Sequence, residues 1–272
     1  MNVLAGILFS LFFGFIPMFL FALIVYWLDR YEKEPALLLG LVFLWGAIIA
    51  AGAAFIINSI LRVSVYMFTG SEAATELATG SLFAPVVEES LKGFAVLMLF
   101  WLFRQEFDSI LDGIVYAGIT ALGFAATENA YYIFAYGYQE NGLQVVLWLS
   151  LVRVLLVGWQ HPFYTAFFGI GLAFARLNRN MAVKIIAPLL GLLLAISTHS
   201  FHNTLASLIK GVGGLAATAL VDWSGWIIML GFIAWALHRE RGWIVAYLKE
   251  EVTQGIISAE QYRTACSAWA QS

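Results

Sequence analysis

Charge is what this sequence has least of. Only 11% of its 272 residues are Asp, Glu, Lys or Arg, against 62% apolar ones, and its mean hydropathy is +0.86. A soluble domain carries roughly 25% charged residues, so a water-soluble globule is excluded and a multi-pass membrane protein is expected. A net charge of -3 without a basic cluster offers nucleic acid nothing to bind. The single cysteine, Cys266, excludes an intrachain disulfide and any cysteine-rich metal site. Common hydrolytic signatures are missing too: there is no His-Glu-x-x-His helix, no Gly-x-Gly-Asp and no Gly-x-Ser-x-Gly elbow. The first apolar run has neither the basic flank nor the cleavage site of a signal peptide, and is expected to remain as a span.

Seven apolar runs are present, at roughly 3–27, 36–58, 81–103, 111–136, 144–175, 181–208 and 214–237. The expected fold is all-α. It is a polytopic membrane helix bundle of about seven transmembrane helices, with a re-entrant or outer-leaflet helix and a short C-terminal cytosolic helical tail. A membrane domain over 1–237 is expected to precede a tail over 238–272. Arg30, Lys33, Arg104, Arg176, Arg179 and Lys184 fall on one side with the tail's Arg239, Arg241, Lys249 and Arg263, leaving Arg62 and Lys210 opposite. By the positive-inside rule the N-terminus lies outside and the C-terminus inside. The fifth run is too long for one straight span and is interrupted at Gly158-Trp159-Gln160-His161-Pro162. Proline pushes the preceding residue out of the α region, so His161 is expected at a break, with Pro162 opening a descending helix. Residues 59–80 read as the longest outer connection, with room for a short helix. In the tail, Ser258 and Gln261 have capping-box spacing after a break at Gly255.

Ionisable groups inside spans are expensive and must face a protein or water-filled interior. Glu88, Glu89 and Lys92 open the third run, and Glu128, Arg153, His161, His199 and Asn203 lie in later ones. At 1.5 Å per residue, Glu88, Glu128 and His199 come roughly 10–13 Å below the outer ends of their segments, in one layer. Glu88 and Lys92 are i,i+4 neighbours and are expected to pair. Glu89 must then look elsewhere, to Arg153 or a histidine. Tyr132 stands one turn beyond Glu128. His199 and Asn203 share a face, with His202 close to it, and offer the two neutral donors that a developing oxyanion needs. Two chemistries remain: a carboxylate-activated water with histidine help, or a metal held by Glu and His. No close metal-ligand spacing such as His-x-x-x-His occurs, so no cofactor is favoured. Zinc is the alternative, with Glu88, Glu128, His161 and His199 as its ligands. The same residues could relay protons in a membrane transporter, although no inverted repeat is visible, or sit idle in a membrane scaffold.

In order and spacing these residues resemble the PrsW family of bacterial intramembrane proteases, related to the CAAX prenyl endopeptidase superfamily. The resemblance runs from Asp29-Arg30-Tyr31-Glu32-Lys33-Glu34-Pro35 through Glu88-Glu89-x-x-Lys92 and the GFAATENAYY stretch to His161 and His199-x-x-x-Asn203. It implies a peptidase of the bacterial cytoplasmic membrane, embedded among lipids, that cuts a single-span membrane protein near the outer face. The anti-sigma factor is the type case. By analogy with the prenyl enzymes, Glu88 would be the general base and His161 its partner. His199 and Asn203 would form the oxyanion hole, with Glu89 and Glu128 in support and Lys92, Tyr132 and Arg153 around them. The prenyl enzymes have phenylalanine four residues before the histidine; Val157 stands there in this chain.

Overall fold

The computed structural model describes residues 3–139, 143–209 and 211–267, and all regular structure among them is helical. Lys210, read above as an outer charge, and residues 268–272 of the tail lie outside the described residues. Helix α1 (Val3–Leu28) buries Gly6, Ser10, Gly14, Met18, Ala22 and Val25. That spacing of three or four residues is one helix face, and the rest of α1 looks outward. Helix α2 (Ala36–Leu44) passes through a π-helical turn (Trp45–Ala50) into α3 (Ala51–Thr69), forming one 34-residue apolar rod.

The long connection expected over 59–80 is not a loop. Helix α3 continues to Thr69, and only Gly70 (φ 64°) and Ser71 separate it from α4 (Glu72–Ala78). The hydroxyls of Ser59, Ser64 and Thr69 donate to carbonyls one turn back, at 2.7–2.9 Å, so these polar residues continue the helix instead of ending it. A π-helical turn (Thr79–Phe83) then leads from α4 into α5 (Ala84–Leu102), with Pro85 in the first turn. Among the described residues, six helices are long and apolar enough to cross a membrane. Helix α5, which carries three ionisable side chains, is the seventh rod of the bundle.

Helix α6 (Ile110–Tyr132, continued by a π-helical stretch, Ile133–Gln139) is the axis around which the others pack. Ser109 and Asp112 cap its start reciprocally, and every residue from Ile110 to Ala126 is buried. Small residues make this possible by letting backbones approach closely. A Cβ on Gly123 would lie 2.0 Å from the carbonyl oxygen of Phe43, and one on Gly169 would lie 1.9 Å from that of Gly113.

Helix α7 (Leu143–Ser150) and a π-helical stretch (Leu151–Leu156) fold back beside the end of α6. The chain breaks at Val157–Trp159 and resumes as α8 (Gln160–Leu177). The break therefore precedes the position expected at His161. Both His161 and Pro162 lie in the first turn of α8, where a missing N–H leaves no bond unmade. Helix α9 (Met181–Leu208) is capped by Asn180 and accommodates Pro188. Helix α10 (Gly211–Thr253) runs unbroken for 43 residues. Its length of about 65 Å is twice the hydrocarbon thickness of about 30 Å, and its Glu240, Trp243 and Ile244 lie beside the α1–α2 turn and the start of α6. Gly255 (φ 72°) ends this stretch, and the expected Ser258–Gln261 capping box starts α11 (Ala259–Ala265).

The turn between α1 and α2 is fixed by buried acids. Asp29 accepts the Glu34 N–H at 3.0 Å, and the Tyr116 hydroxyl donates to Glu34. Burial pushes the Glu34 carboxyl up to about 9 and that of Asp29 to about 6. A raised carboxyl contributes its stabilisation in full below its ordinary value and loses it as pH climbs to the raised one. The thermal midpoint of the detergent-solubilised protein should fall between about pH 4.5 and 9, and more steeply than in Glu34→Gln. At the crossing of α6 and α8, Gly169→Leu should destabilise by about 1–3 kcal/mol or prevent folding, as read by the same melting curves.

Candidate active site

Helix α5 turns Glu88, Glu89 and Lys92 inward, and all three are buried. Lys92 pairs with Glu89 at 2.5 Å, not with Glu88 as the i,i+4 spacing suggested. Both spacings place side chains together on a helix, and the neighbouring helices decide between them. His199 Nδ1 lies 2.8 Å from the same Glu89 oxygen, and the Thr165 hydroxyl donates to the other at 2.8 Å. Glu89 thus collects three polar partners from α5, α8 and α9, which offsets the desolvation of a buried charge. Of the partners expected for it, a histidine is found and Arg153 is not. The Lys92 ammonium also lies 3.3 Å from His161 Nδ1 and 4.7 Å from the centre of the Phe124 ring.

Glu88 is differently placed. One oxygen accepts a long bond from Asn58 Nδ2 (3.3 Å), whereas Oε2 is buried, has no hydrogen-bond partner and stands 3.9 Å from His199 Nε2. Glu128 Oε2 accepts from Arg153 at 2.8 Å and lies 2.9 Å from His161 Nε2. Arg153 also donates to Asn129 at 3.0 Å, and its guanidinium lies 3.9 Å from the centre of the Tyr132 ring. Glu88, Glu89, Lys92, Glu128, Tyr132, Arg153, His161 and His199 therefore converge in one network from separate helices. Asn203 does not join it. Its amide donates to the Gly80 carbonyl at 2.8 Å and ties α9 to the π-helical turn before α5. The side chains of His199 and Asn203 thus engage different partners, contrary to the shared oxyanion face expected of them.

Glu88, His161 and His199 each offer one ligand atom, and the three atoms lie within 4.8 Å of one another. Two imidazoles and a carboxylate are a donor set suited to zinc. The unpartnered Glu88 Oε2 and the carboxylate of Glu89 behind the His199 ring fit that use, because a metal-bound histidine characteristically donates its other N–H to such a group. Glu128, grouped with these ligands in the sequence reading, contacts His161 through Nε2, which leaves Nδ1, now 3.3 Å from the Lys92 ammonium, as the nitrogen for an ion. A cavity of about 480 Å³ reaches Glu88 and Glu128 between α3, α5 and α6, with Asn58, Gly80 and three tyrosines along its wall.

Four residues of this region were not singled out in the sequence: Asn58, Tyr164, Thr165 and Asp222. Asp222 is the sole acid in the last apolar run, a signal of the same kind as Glu128. Tyr164 and Thr165 follow His161 by three and four residues, one helical turn along its face.

Residues 34–237 match a family described as PrsW family intramembrane metalloprotease. A protease PrsW of Geobacillus kaustophilus (strain HTA426) is 30% identical over 141 residues, or 52% of this chain and 55% of that protein. One of Bacillus subtilis (strain 168) is 28% identical over 207 residues, 76% of this chain and 82% of that one. One of Clostridioides difficile (strain 630) is 33% identical over 129 residues, 44% and 52% respectively. The matched stretch thus spans about half of two of these relatives and about four-fifths of the other. No solved structure matches the chain.

Removing one member of a buried ion pair leaves its partner uncompensated, at a cost of about 3–5 kcal/mol. Glu89→Gln should therefore lower stability by that order in denaturant titrations, while Glu88→Gln, which releases no buried cation, should fall well short of it.

Proposed function

The chain belongs to the PrsW family of intramembrane proteases, and on that premise we propose that it hydrolyses a peptide bond of a membrane protein with a water activated by glutamate. The observation that carries this reading is the meeting of Glu88, His161 and His199, with Glu88 on the wall of a groove. Glu88 Oε2 is buried without a partner, and a carboxylate oxygen in that state is placed to accept the proton of an attacking water. Attack breaks the C–N bond of the scissile peptide. The carbonyl carbon keeps the water oxygen, and the proton passes to the departing amine. Glu89 and Thr165 hold His199 in orientation, and Glu128, fixed by Arg153, does the same for His161.

Glu88, His161 and His199 would also hold a divalent ion of the zinc class, which supplies Lewis-acid polarisation and a water of lowered pKa when bound. With such an ion bound, Glu88 would be one of its ligands, and Glu128 would keep its place against His161 and Arg153.

The groove fits an extended peptide better than a helix. Unpaired backbone groups of such a strand can meet polar partners along the wall, among them Asn58, Gly80 and Tyr132. A helical substrate must unwind to present them, which favours cleavage near a membrane boundary. By the family's type case, the substrate we propose is a single-span protein of the anti-sigma-factor kind. We assign the groove to the outer side, with the N-terminus outside and the C-terminus inside, on the distribution of Lys and Arg.

Purified protein reconstituted with a single-span substrate tests this directly. Glu88→Gln should remain folded and lose at least about a thousandfold in cleavage; wild-type rates in that variant would refute the reading. Elemental analysis then divides the two forms. About one zinc per chain, lost in His199→Ala, identifies the metal form, and activity at sub-stoichiometric metal identifies the metal-free one.

A further inference from the structure

Behind the site lies a second polar cluster that the chemistry above does not use. Asp222 on α10 is 99% buried, and its Oδ1 receives two partners. The Tyr164 hydroxyl donates to it at 3.0 Å, and His202 Nδ1 lies 3.0 Å away. Its other oxygen is buried with no hydrogen-bond partner. A carboxylate half-satisfied in an apolar bundle is expensive, and α10 is otherwise joined to α8 and α9 largely by apolar contact. Tyr164 is the informative neighbour. Its ring stacks on His199, with centroids 5.0 Å apart and planes 22° from parallel. The next residue, Thr165, donates to the Glu89 carboxylate that holds His199 Nδ1. One turn of α8 therefore restrains the His199 imidazole twice, at its edge through Glu89 and across its face through Tyr164. The Tyr164 ring can keep that face only while its hydroxyl is anchored, and Asp222 is the anchor.

We propose that Asp222 is a positioning residue that acts through Tyr164 to fix the plane of the His199 ring. The inference rests on the assignment of His199 to the active site. Loss of a group that orients a ligand or catalytic residue characteristically lowers activity 10–100-fold. Asp222→Asn keeps the shape but weakens acceptance from Tyr164, and Tyr164→Phe keeps the aromatic ring but removes the bond that anchors it over His199.

Each variant should lower kcat about tenfold or more with KM unchanged. The double variant should be no worse than the weaker of the two singles, because both remove one link. A spectroscopic readout separates failure of this proposal from failure of the peptidase reading, since it needs no substrate. In protein labelled with ¹⁵N-histidine, the four histidines are assigned by single substitution. The ring signals of His199 should shift in the same direction in Asp222→Asn and Tyr164→Phe. If those signals stay in place and kcat per folded molecule is unchanged, Asp222 is only a tether for α10 and the proposal is overturned. Losses that multiply in the double variant overturn it as well. If no variant, wild type included, cleaves the substrate, the peptidase reading fails, and the His199 shifts alone decide for or against the positioning role.

Discussion

The ion pair between Glu89 and Lys92 is the constraint on which the bundle depends. Both side chains are fully buried, in a segment where an isolated charge is intolerable. A buried pair rarely repays its own desolvation through Coulomb attraction alone. Here the remaining lone pairs of Glu89 are taken by His199 and Thr165. The charge on α5 therefore requires α8 and α9 to be present, and it fixes the register of all three. The ordered position of His199 is a by-product of that requirement: the contact that makes α5 tolerable in the membrane also aims one imidazole at Glu88.

The two glutamates of α5 separate into unlike roles for the same reason. Glu89 is saturated with partners and serves as a structural centre. Glu88, one residue back and about 100° around the helix, accepts a hydrogen bond from Asn58 at 3.3 Å and leaves its other oxygen unbonded, 3.9 Å from His199 Nε2. Neighbours that differ this much in their surroundings can divide labour, one holding a geometry and the other changing its bonds. Glu128 lies between these extremes, held by Arg153 and His161 yet on the cavity wall.

Much of the site was legible in the sequence because the membrane makes polar residues conspicuous. Glu88, Glu89, Glu128, Arg153, His161 and His199 stand out for their cost alone, and they do meet. What the chain could not disclose was their pairing. Helix spacing allows Lys92 to reach either glutamate, and Thr165 and His199 on other helices decide it. The Asn203 amide turns to Gly80 because a π-helical turn precedes α5, and nothing in Thr79–Phe83 announces that geometry. Helix ends were misjudged where hydroxyls bonded back to their own helix, as at Ser59, Ser64 and Thr69. Asp222 obeyed the same rule as the recognised acids and was passed over.

The ionisable head of α5 also bears on how the chain is made. This helix carries three ionisable side chains in an otherwise apolar run, and the groups that satisfy Glu89 from outside it belong to α8 and α9, synthesised later. The Glu89 carboxylate therefore meets its full set of partners only after nearly two hundred residues have been made. A product ending before α9 would leave the Glu89 carboxylate with Lys92 but without His199.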